Sequence, residues 1–176
     1  MKGLGIKGNV LVKVREKRVE VPSLETILNF DNTLVQGGLE LFGKILGTPG
    51  YDAGTVYLEL GKSDIAPNIS DVALYAPYFR KAIGVSYQSN VLQFSGRVLN
   101  WEALLTAPDE IKEMGLFWDG GSLSLGSGTM IARVLFRPSF TKTVAEEIDV
   151  YWSYRMMETF IDLAEPGSVP VGPTIC

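Results

Sequence analysis

The sequence contains no histidine and only one cysteine, Cys176, which is the last of its 176 residues. Without histidine there can be no histidine-containing catalytic triad, no histidine general base and no histidine metal ligand. A single cysteine can form neither a disulfide within the chain nor a cluster of thiolate ligands. These absences point away from the common nucleophilic and metal-dependent hydrolases.

Long apolar runs and an excess of positive charge are also missing. No segment approaches the roughly 20 consecutive apolar residues that span a bilayer, and residues 1–10, MKGLGIKGNV, lack the continuous apolar core of a signal peptide. The net charge is −4, and the basic cluster at 13–18 is divided between the two faces of an alternating segment. We therefore expect synthesis in the cytoplasm and neither a membrane nor a nucleic-acid partner.

What the sequence does contain is a period-two alternation of apolar and polar residues. In the segment 9–21, Val10, Val12 and Val14 share one face, while Lys13 and Arg15 share the other. The same period recurs at 55–61, 78–99, 110–118, 129–138 and 147–155. Because these segments follow one another without intervening helices, we predict a mainly β fold, an antiparallel β-sandwich of seven to nine strands.

Two connections in this pattern have clear signals, and one segment remains open. Ser89-Asn90 is the predicted turn of a hairpin within 78–99. The stretch 61–77, GKSDIAPNISDVALYAP, reads as a long surface loop because it contains two prolines and several turn-forming residues. The segment 23–30, SLETILNF, is compatible with either a helical turn or a strand.

One helix is predicted at about 32–46, where apolar residues recur at helical spacing. Asn32 or Thr33 can cap its start, and Gly47 fits the position just beyond its end. Glycines within a helix weaken it by about 1 kcal/mol each, so we expect this helix to persist by packing closely on a sheet. Three glycines interrupt it: Gly37, Gly38 and Gly43.

The chain ends predict a three-part organisation, with a β-sandwich domain at 9–155 between two extensions. Residues 1–8 form an N-terminal arm and residues 156–176 a C-terminal extension, which has three prolines in its last twelve residues. Such arms can become ordered by lying across neighbouring subunits. The alternative interpretation is that both ends are simply frayed.

The Gly-rich stretch 119–128, DGGSLSLGSG, invites comparison with a phosphate-binding loop. A loop of that kind ends in Gly-Lys-Ser/Thr, so that lysine reaches the terminal phosphates, whereas this stretch has no lysine and leads into a β-patterned segment. We therefore predict that it joins two strands and binds no nucleotide.

Paired carboxylates are the remaining candidates for catalysis. They occur at Asp109-Glu110, at Glu146-Glu147 and at Glu158 with Asp162. The members of the first two pairs are neighbours on a presumed strand or loop, so their side chains diverge. Glu158 and Asp162 could share one face of a short amphipathic C-terminal turn. All three pairs are interpreted as solvated surface. Trp152, between Val150 and Tyr154, is predicted to lie in the core. We expect no catalytic, cofactor-binding or metal-binding residues, no cofactor, and no enzymatic activity.

The serial order of seven short signals resembles small virion structural proteins of tailed bacteriophages, over roughly residues 8–155. The signals are, in order, NVLVKVREKRVEV, DNTLVQGGLELFGKILG, VYLELG, VLQFSGRV, IKEMGLFW, MIARVLFRPSFTKT and EIDVYWSY. The resemblance implies a β-sandwich located in the virion, made in the cytoplasm of the host bacterium. It also implies a homo-oligomer, with a trimer favoured, that contacts the major capsid protein or tail proteins. The chain departs from this class at 66–79, APNISDVALYAPYF, and in its Pro-rich tail.

Within that class we expect a capsid decoration (cement) protein, because a compact domain with two arms suits such a role. A tail, baseplate or tail-fibre component is the alternative. A carbohydrate-binding adhesion module is a second one, in which Trp101, Trp118 and Tyr57 would stack on sugar rings. A small hydrolase is a third, which the lack of histidine and of any nucleophile motif disfavours.

Overall fold

The computed structural model describes residues 2–16, 25–30, 32–106 and 109–160. The described residues form nine strands and one helix, in the following order along the chain. They are β1 (Lys2–Glu16), β2 (Glu25–Phe30), β3 (Thr33–Leu34), α1 (Gln36–Gly47), β4 (Val56–Gly61), β5 (Pro77–Gln88), β6 (Val91–Val98), β7 (Ile111–Trp118), β8 (Thr129–Phe140) and β9 (Glu146–Phe160). The open segment 23–30 is therefore strand β2 from Glu25 onward.

All nine strands belong to one antiparallel sheet in the order β2-β1-β9-β6-β5-β4-β7-β8-β3. β5 joins the two halves of this sheet by changing its partner. Its first part, from Pro77 to Ile83, pairs with β4, and its second part, from Gly84 to Gln88, pairs with β6. β5 thus connects the first half of the sheet, β2-β1-β9-β6, with the second half, β4-β7-β8-β3.

The two halves of the sheet enclose one hydrophobic core. Val12, Val150 and Trp152 from the first half lie in the same buried cluster as Leu58 and Met114 from the second. The prediction of a mainly β, antiparallel fold with one packed helix is confirmed, and Trp152 is buried as expected. The two layers are halves of one curled sheet, because β5 is long enough to serve in both.

The two edges of the sheet come from adjacent parts of the chain. β2 is one edge strand and β3 is the other, yet only residues 31 and 32 separate them in sequence. The ring of Phe30 at the end of β2 lies 4.9 Å from the ring of Phe136 on β8, in an edge-to-face arrangement. The chain thus leaves one edge and joins the other within two residues, and the sheet curls so that its edges approach each other.

Helix α1 begins four residues later than predicted. Thr33 and Leu34 pair with β8 as a short strand, and the N–H of Val35 bonds to the carbonyl of Ile131. Val35 is the N-cap residue and has no side-chain cap, while the predicted cap Asn32 donates to the hydroxyl of Tyr154. Sheet pairing therefore outweighs the capping signal. At the other end, Gly47 is the last helical residue.

The prediction that α1 packs closely on the sheet is confirmed at Gly38. A Cβ atom on Gly38 would lie 2.3 Å from the carbonyl oxygen of Ile131, whereas one on Gly43 would meet nothing within 4 Å. The helix also contacts the first half of the sheet, since the ring of Phe42 lies 5.4 Å from that of Tyr154. Close approach at Gly38 lets α1 pack against both halves.

The structure draws the boundaries of the terminal segments differently from the sequence. Residues 2–8, predicted as an arm, are the first half of β1, and residues 156–160 are the end of β9. The two strands pair without interruption from Lys2↔Phe160 to Glu16↔Glu146. The partners of residues 2–8 lie 146 to 158 positions away in sequence, which local periodicity cannot reveal. Residues 161–176 and the charged turn at 17–24 lie outside the described residues.

The predicted connections agree with the structure. Ser89 and Asn90 both have positive φ angles, 49° and 59°, and form the two-residue loop between β5 and β6. The primed turn that such angles define matches the twist of paired strands. The Gly-rich stretch 119–128 joins β7 to β8 as expected.

Candidate interaction surface

Four strands carry a row of residues across the outer face of the second half of the sheet. Arg80 on β5 is in register with Glu59 on β4, Glu59 with Gly115 on β7, and Gly115 with Arg133 on β8. Both arginines and Glu59 are buried. With strands about 4.8 Å apart, the two arginines lie roughly 14 Å from each other.

Arg80 ties the Gly-rich connection to the sheet. Its Nη1 donates to a carboxylate oxygen of Glu59 at 2.8 Å. Its Nε donates to the carbonyl of Ser122 at 2.7 Å, and its Nη2 donates to the carbonyl of Ser127 at 2.5 Å. The same oxygen of Glu59 accepts the N–H of Gly126 at 2.8 Å. The ion pair thus holds both sides of the connection.

Arg133 does the same for the long connection between β4 and β5. Its Nη2 lies 2.7 Å from a carboxylate oxygen of Glu113, and its Nη1 lies 2.9 Å from one of Asp71. It also donates to the carbonyls of Ile65 at 2.7 Å and Ala66 at 3.3 Å. The guanidinium therefore uses its planar set of donors on two carboxylates and two backbone groups.

Each guanidinium group also lies against aromatic rings. The central carbon of Arg80 is 4.8 Å from the ring centre of Tyr57 and 4.6 Å from that of Phe117. That of Arg133 is 4.7 Å from the ring centre of Tyr75. A cation over a ring gains about 0.5–2 kcal/mol, more when it is removed from water. These contacts compensate part of the cost of burying the two charges.

The connection at 62–76, called here the first loop, is fastened at its ends and in its middle. The N–H of Lys62 donates to the carbonyl of Ala76 at 3.0 Å, so that the loop starts and finishes at one place. In its middle, the carbonyl of Ile69 accepts the N–H of Gln36, the first residue of α1, at 2.8 Å. The loop therefore lies over the sheet and does not extend into solvent.

A small second core forms under the first loop. Gly115 leaves space on the sheet surface, and a Cβ atom there would lie 3.0 Å from the side chain of Leu74. Leu74 fills this space in a buried cluster distinct from the main core. Its other members are Val35, Phe117 and Met130, with Tyr57 packed against them. The predicted surface loop is thus an integral part of the fold.

The connection at 119–128, called here the second loop, owes its shape to glycine. Gly120, Gly126 and Gly128 have positive φ angles of 74°, 72° and 84°. A Cβ atom on Gly128 would come within 2.7 Å of the backbone of Gly121. The backbone at Gly128 therefore packs directly against the backbone at Gly121. The positive φ angles and this close approach both favour glycine, which explains why the stretch is rich in it.

The two clamped loops expose large apolar side chains although their backbones are fixed. Val72 is 79% exposed and Leu123 is 71% exposed. We call the exposed apolar residues of both loops the loop surface. It comprises Ile65, Ile69, Val72, Tyr75, Leu123 and Leu125. Exposed apolar groups on a fixed backbone make the loop surface the candidate for contact with another protein.

A buried lysine links two further connections of the chain. Lys142 is 2% exposed, and burial lowers the pKa of its amine. Its Nζ donates to the carbonyls of Asn100 at 3.0 Å and Glu102 at 2.9 Å. Both acceptors belong to the connection between β6 and β7, so the amine ties that connection to the one between β8 and β9.

The residues predicted for sugar stacking do not form one platform. Trp118 lies against Phe94 of the main core, with ring centres 5.6 Å apart, and donates to the carbonyl of Gly54. Tyr57 lies under Arg80 on the opposite, outer face of the sheet. Trp101 is exposed in the connection after β6. Trp118 and Tyr57 therefore cannot stack on the same ligand.

The predicted carboxylate pairs have separate partners. Asp109 pairs with Lys62, and Glu110 accepts from the hydroxyl of Ser139. Glu146 accepts the N–H of Thr143, and Glu147 lies 3.8 Å from Arg97. The side chains of Glu158 and Asp162 lie outside the described residues.

Sequence reasoning missed the buried charges that build this surface. A local signal exists for two of them: Glu59 and Arg133 each stand alone within an apolar strand segment, in VYLELG and IARVLF. A charge at such a position is either solvated or paired inside. Their partners Asp71 and Arg80 come from other segments, so the pairing itself could not be read from the sequence.

Comparisons with protein-family models, with curated proteins and with solved structures find no match. Within residues 2–16, 25–30, 32–106 and 109–160, no grouping of three or more acidic or cysteine side chains is placed to hold a metal ion. No helix in that same part of the chain has the length and apolar character needed to cross a membrane. The loop surface is therefore the feature on which a functional proposal rests.

Proposed function

We propose that this protein is a non-enzymatic structural component of a bacteriophage virion that adheres to other protein subunits. The observation that carries the proposal is the loop surface, where two arginine-clamped loops expose apolar side chains on one face of the sheet. The serial order of strand signals, which resembles small virion proteins of tailed phages, supplies the virion context.

The buried ion pairs support adhesion through their effect on loop rigidity. A loop that must be ordered on binding costs about 0.5–1.5 kcal/mol for each immobilised side chain, together with its backbone entropy. Arg80 and Arg133 fix both loops in the free protein. The backbone part of that cost is therefore met during folding, and the exposed apolar groups are available for binding.

Capsid decoration is our leading assignment within this proposal, ahead of a tail, baseplate or fibre position. A cement protein needs a compact body and a surface complementary to the shell, and the loop surface of a single curled sheet fits that need. A homo-oligomer, with a trimer favoured, is part of the proposal. Light scattering on the purified protein gives the number of subunits.

The test is binding to shells assembled without the protein. The variant Leu123→Asp/Leu125→Asp places two charges on the loop surface. The matched control Val144→Asp changes an apolar residue between β8 and β9 that is 65% exposed, between the 71% of Leu123 and the 48% of Leu125. We expect the double variant to bind at least tenfold more weakly and the control to bind normally. Equal binding by all three proteins would exclude the loop surface. Failure of the unchanged protein to bind shells would exclude decoration.

A further inference from the structure

The second half of β5 has an unpaired edge. Residues Gly84–Gln88 pair with β6 on one side. On the other side, the pairing of β4 with β5 ends at Val56↔Ile83. Among the residues that the structure describes, none pairs with this side of Gly84–Gln88. An unpaired edge presents free N–H and C=O groups to any chain that approaches it.

The hairpin geometry identifies which backbone groups are free. In a two-residue loop, the flanking residues exchange both hydrogen bonds, so Gln88 bonds to Val91 across Ser89-Asn90. Bonding alternates along an antiparallel pair, so Ser86 and Gly84 also bond to β6. The N–H and C=O groups of Val85 and Tyr87 therefore point away from β6, toward the unpaired side.

The side chains of the same two residues are exposed although they belong to the core face. Val85 is opposite Phe94, which is fully buried in the main core, and Tyr87 is opposite Leu92. Nevertheless, Val85 is 45% exposed and Tyr87 is 63% exposed. The core face is therefore uncovered at this place, next to the unpaired edge.

This edge carries none of the usual protection against pairing. Protected edges have lysine, proline, inward-pointing charges or a bulge. The segment Gly84–Gln88 reads GVSYQ, with no charge and no proline, and its pairing with β6 is regular. Since it carries no charge, two copies of it would not repel each other.

We propose that two copies of this protein pair through this edge, antiparallel, with a twofold axis at Ser86. In that register Val85 of one copy faces Tyr87 of the other, and the two pairs exchange four backbone hydrogen bonds. Centring the axis on Val85 would require Ile83, which pairs with β4. Centring it on Tyr87 would require Ser89, which lies in the turn. Only the register centred on Ser86 uses all the free groups.

The pairing also brings together side chains that suit each other. An aromatic residue opposite a β-branched residue is a favourable cross-strand pair, and both Val85–Tyr87 pairs of the dimer have this composition. They lie on the core face, where they continue the apolar layer of each copy. This inference deepens the proposed function, since it names the surface through which copies meet while the loop surface binds the shell. A twofold contact closes as a dimer and not as the trimer favoured above, and the subunit number from light scattering distinguishes the two.

Cysteine cross-linking tests the register. At the twofold axis, the two Ser86 residues form a non-hydrogen-bonded pair, whose Cβ atoms lie about 4.5–5.5 Å apart or slightly closer. The Cβ atoms of a disulfide are about 3.5–4.5 Å apart, so a small adjustment allows the bond to form. In a Cys176→Ser background, we expect Ser86→Cys to form a disulfide-linked dimer under mild oxidation. The matched control is Gln88→Cys, which is equally exposed on the same face but would stand about 13 Å from its copy.

The outcomes separate this inference from the proposed function. Rapid cross-linking of Ser86→Cys with little for Gln88→Cys supports the register. Equal cross-linking of both variants, or none of either, would overturn it. Independently, Tyr87→Lys is expected to lower the dimer fraction at least tenfold in light scattering, with an unchanged circular dichroism spectrum, and an undiminished dimer fraction would contradict the proposal. Shell binding through the loop surface is measured separately, so either idea can fail alone.

Discussion

At the scale of single residues, the buried charges matter most because each is surrounded by specific partners. Removing one member of a buried pair leaves the other charge in an apolar environment, which costs about 3–5 kcal/mol. An exposed pair contributes about 0–1 kcal/mol. The chain contains an ion pair of each kind. Removing the cation from each shows how much burial increases the loss in free energy of unfolding.

We expect Arg133→Met to lower the free energy of unfolding by about 3–5 kcal/mol, because Glu113 and Asp71 lose their shared cation. The control is Lys62→Met. The side chains of Lys62 and its partner Asp109 are 38% and 48% exposed. There we expect a loss of less than about 1 kcal/mol. Urea unfolding gives both values, and equal losses would show that the buried network has no special role.

Tyr78 makes stability depend on alkaline pH. Burial raises the pKa of its hydroxyl above the ordinary 10.0, so the unfolded chain releases this proton at lower pH than the folded protein. The contribution to stability is complete below pH 10 and is lost as the pH rises from there toward the folded-state pKa.

Substitution isolates this effect. We expect Tyr78→Phe to lose less stability than the unchanged protein between pH 9 and pH 11, by up to about 1.4 kcal/mol per pH unit above the ordinary pKa. Burial also raises the pKa of Tyr154, and burial lowers that of Lys142, but both are common to the two proteins and cancel in the comparison. Parallel stability curves over this range would contradict the assignment. Urea unfolding at several pH values supplies them.

At the scale of elements, helix α1 shows how packing determines the value of a glycine. Alanine favours a helix by about 1 kcal/mol over glycine. At Gly43 an added Cβ atom would meet nothing within 4 Å, so no steric clash opposes this preference for alanine. At Gly38 the added atom would press on the backbone of Ile131 at 2.3 Å, and the backbone cannot move aside cheaply.

The two glycines therefore respond oppositely to the same change. We expect Gly43→Ala to stabilise the protein by about 0.5–1 kcal/mol, and Gly38→Ala to destabilise it by about 1–3 kcal/mol through overpacking. Thermal and urea unfolding of the two variants give the signs. Stabilisation by both would mean that α1 does not approach β8 as closely as described.

The same helix shows what the sequence could and could not predict. Its apolar spacing predicted its existence, and the alternating segments predicted most strands and the β5–β6 turn, because these signals are local. Its start was wrong because Thr33 and Leu34 pair with β8, almost 100 residues later. Helix capping is a local preference of about 1 kcal/mol, and tertiary pairing overrides it.

The loop surface was predictable only in part. The glycines of the second loop and the length of the first loop are visible in the sequence, and both were recognised as connections. Their rigidity depends on Arg80 and Arg133, which contact carbonyls 42 to 68 positions away. No local pattern encodes such pairings, so a surface made from two distant loops appears only in the folded chain.

At the scale of the whole molecule, the continuity of the sheet determines how the protein unfolds. β5 belongs to both halves, β2 and β3 lie at opposite edges yet are nearly consecutive, and one buried cluster contains residues from both halves. Neither half can lose its partner without exposing its own apolar face. Two-state unfolding is therefore expected in spite of the two layers.

Two tryptophans allow each half to be observed separately. Trp152 lies on β9 in the first half and Trp118 on β7 in the second. The pair Trp101→Phe/Trp118→Phe leaves Trp152 as the only tryptophan, and the pair Trp101→Phe/Trp152→Phe leaves Trp118. In each protein we expect tryptophan fluorescence and far-ultraviolet circular dichroism to give the same urea midpoint, because the shared core must open at once.

A core substitution in one half should then shift the signal from the other half. We add Val150→Ala to the protein that retains only Trp118 and expect the free energy of unfolding to fall by about 1–3 kcal/mol. Fluorescence and circular dichroism should report the same loss, with the same shift of the urea midpoint. A fluorescence midpoint that stayed in place while circular dichroism moved would mean that the halves unfold independently. In that case β5 would be a linker between two small sheets, and the rigidity attributed to the loop surface would have to come from the second half alone.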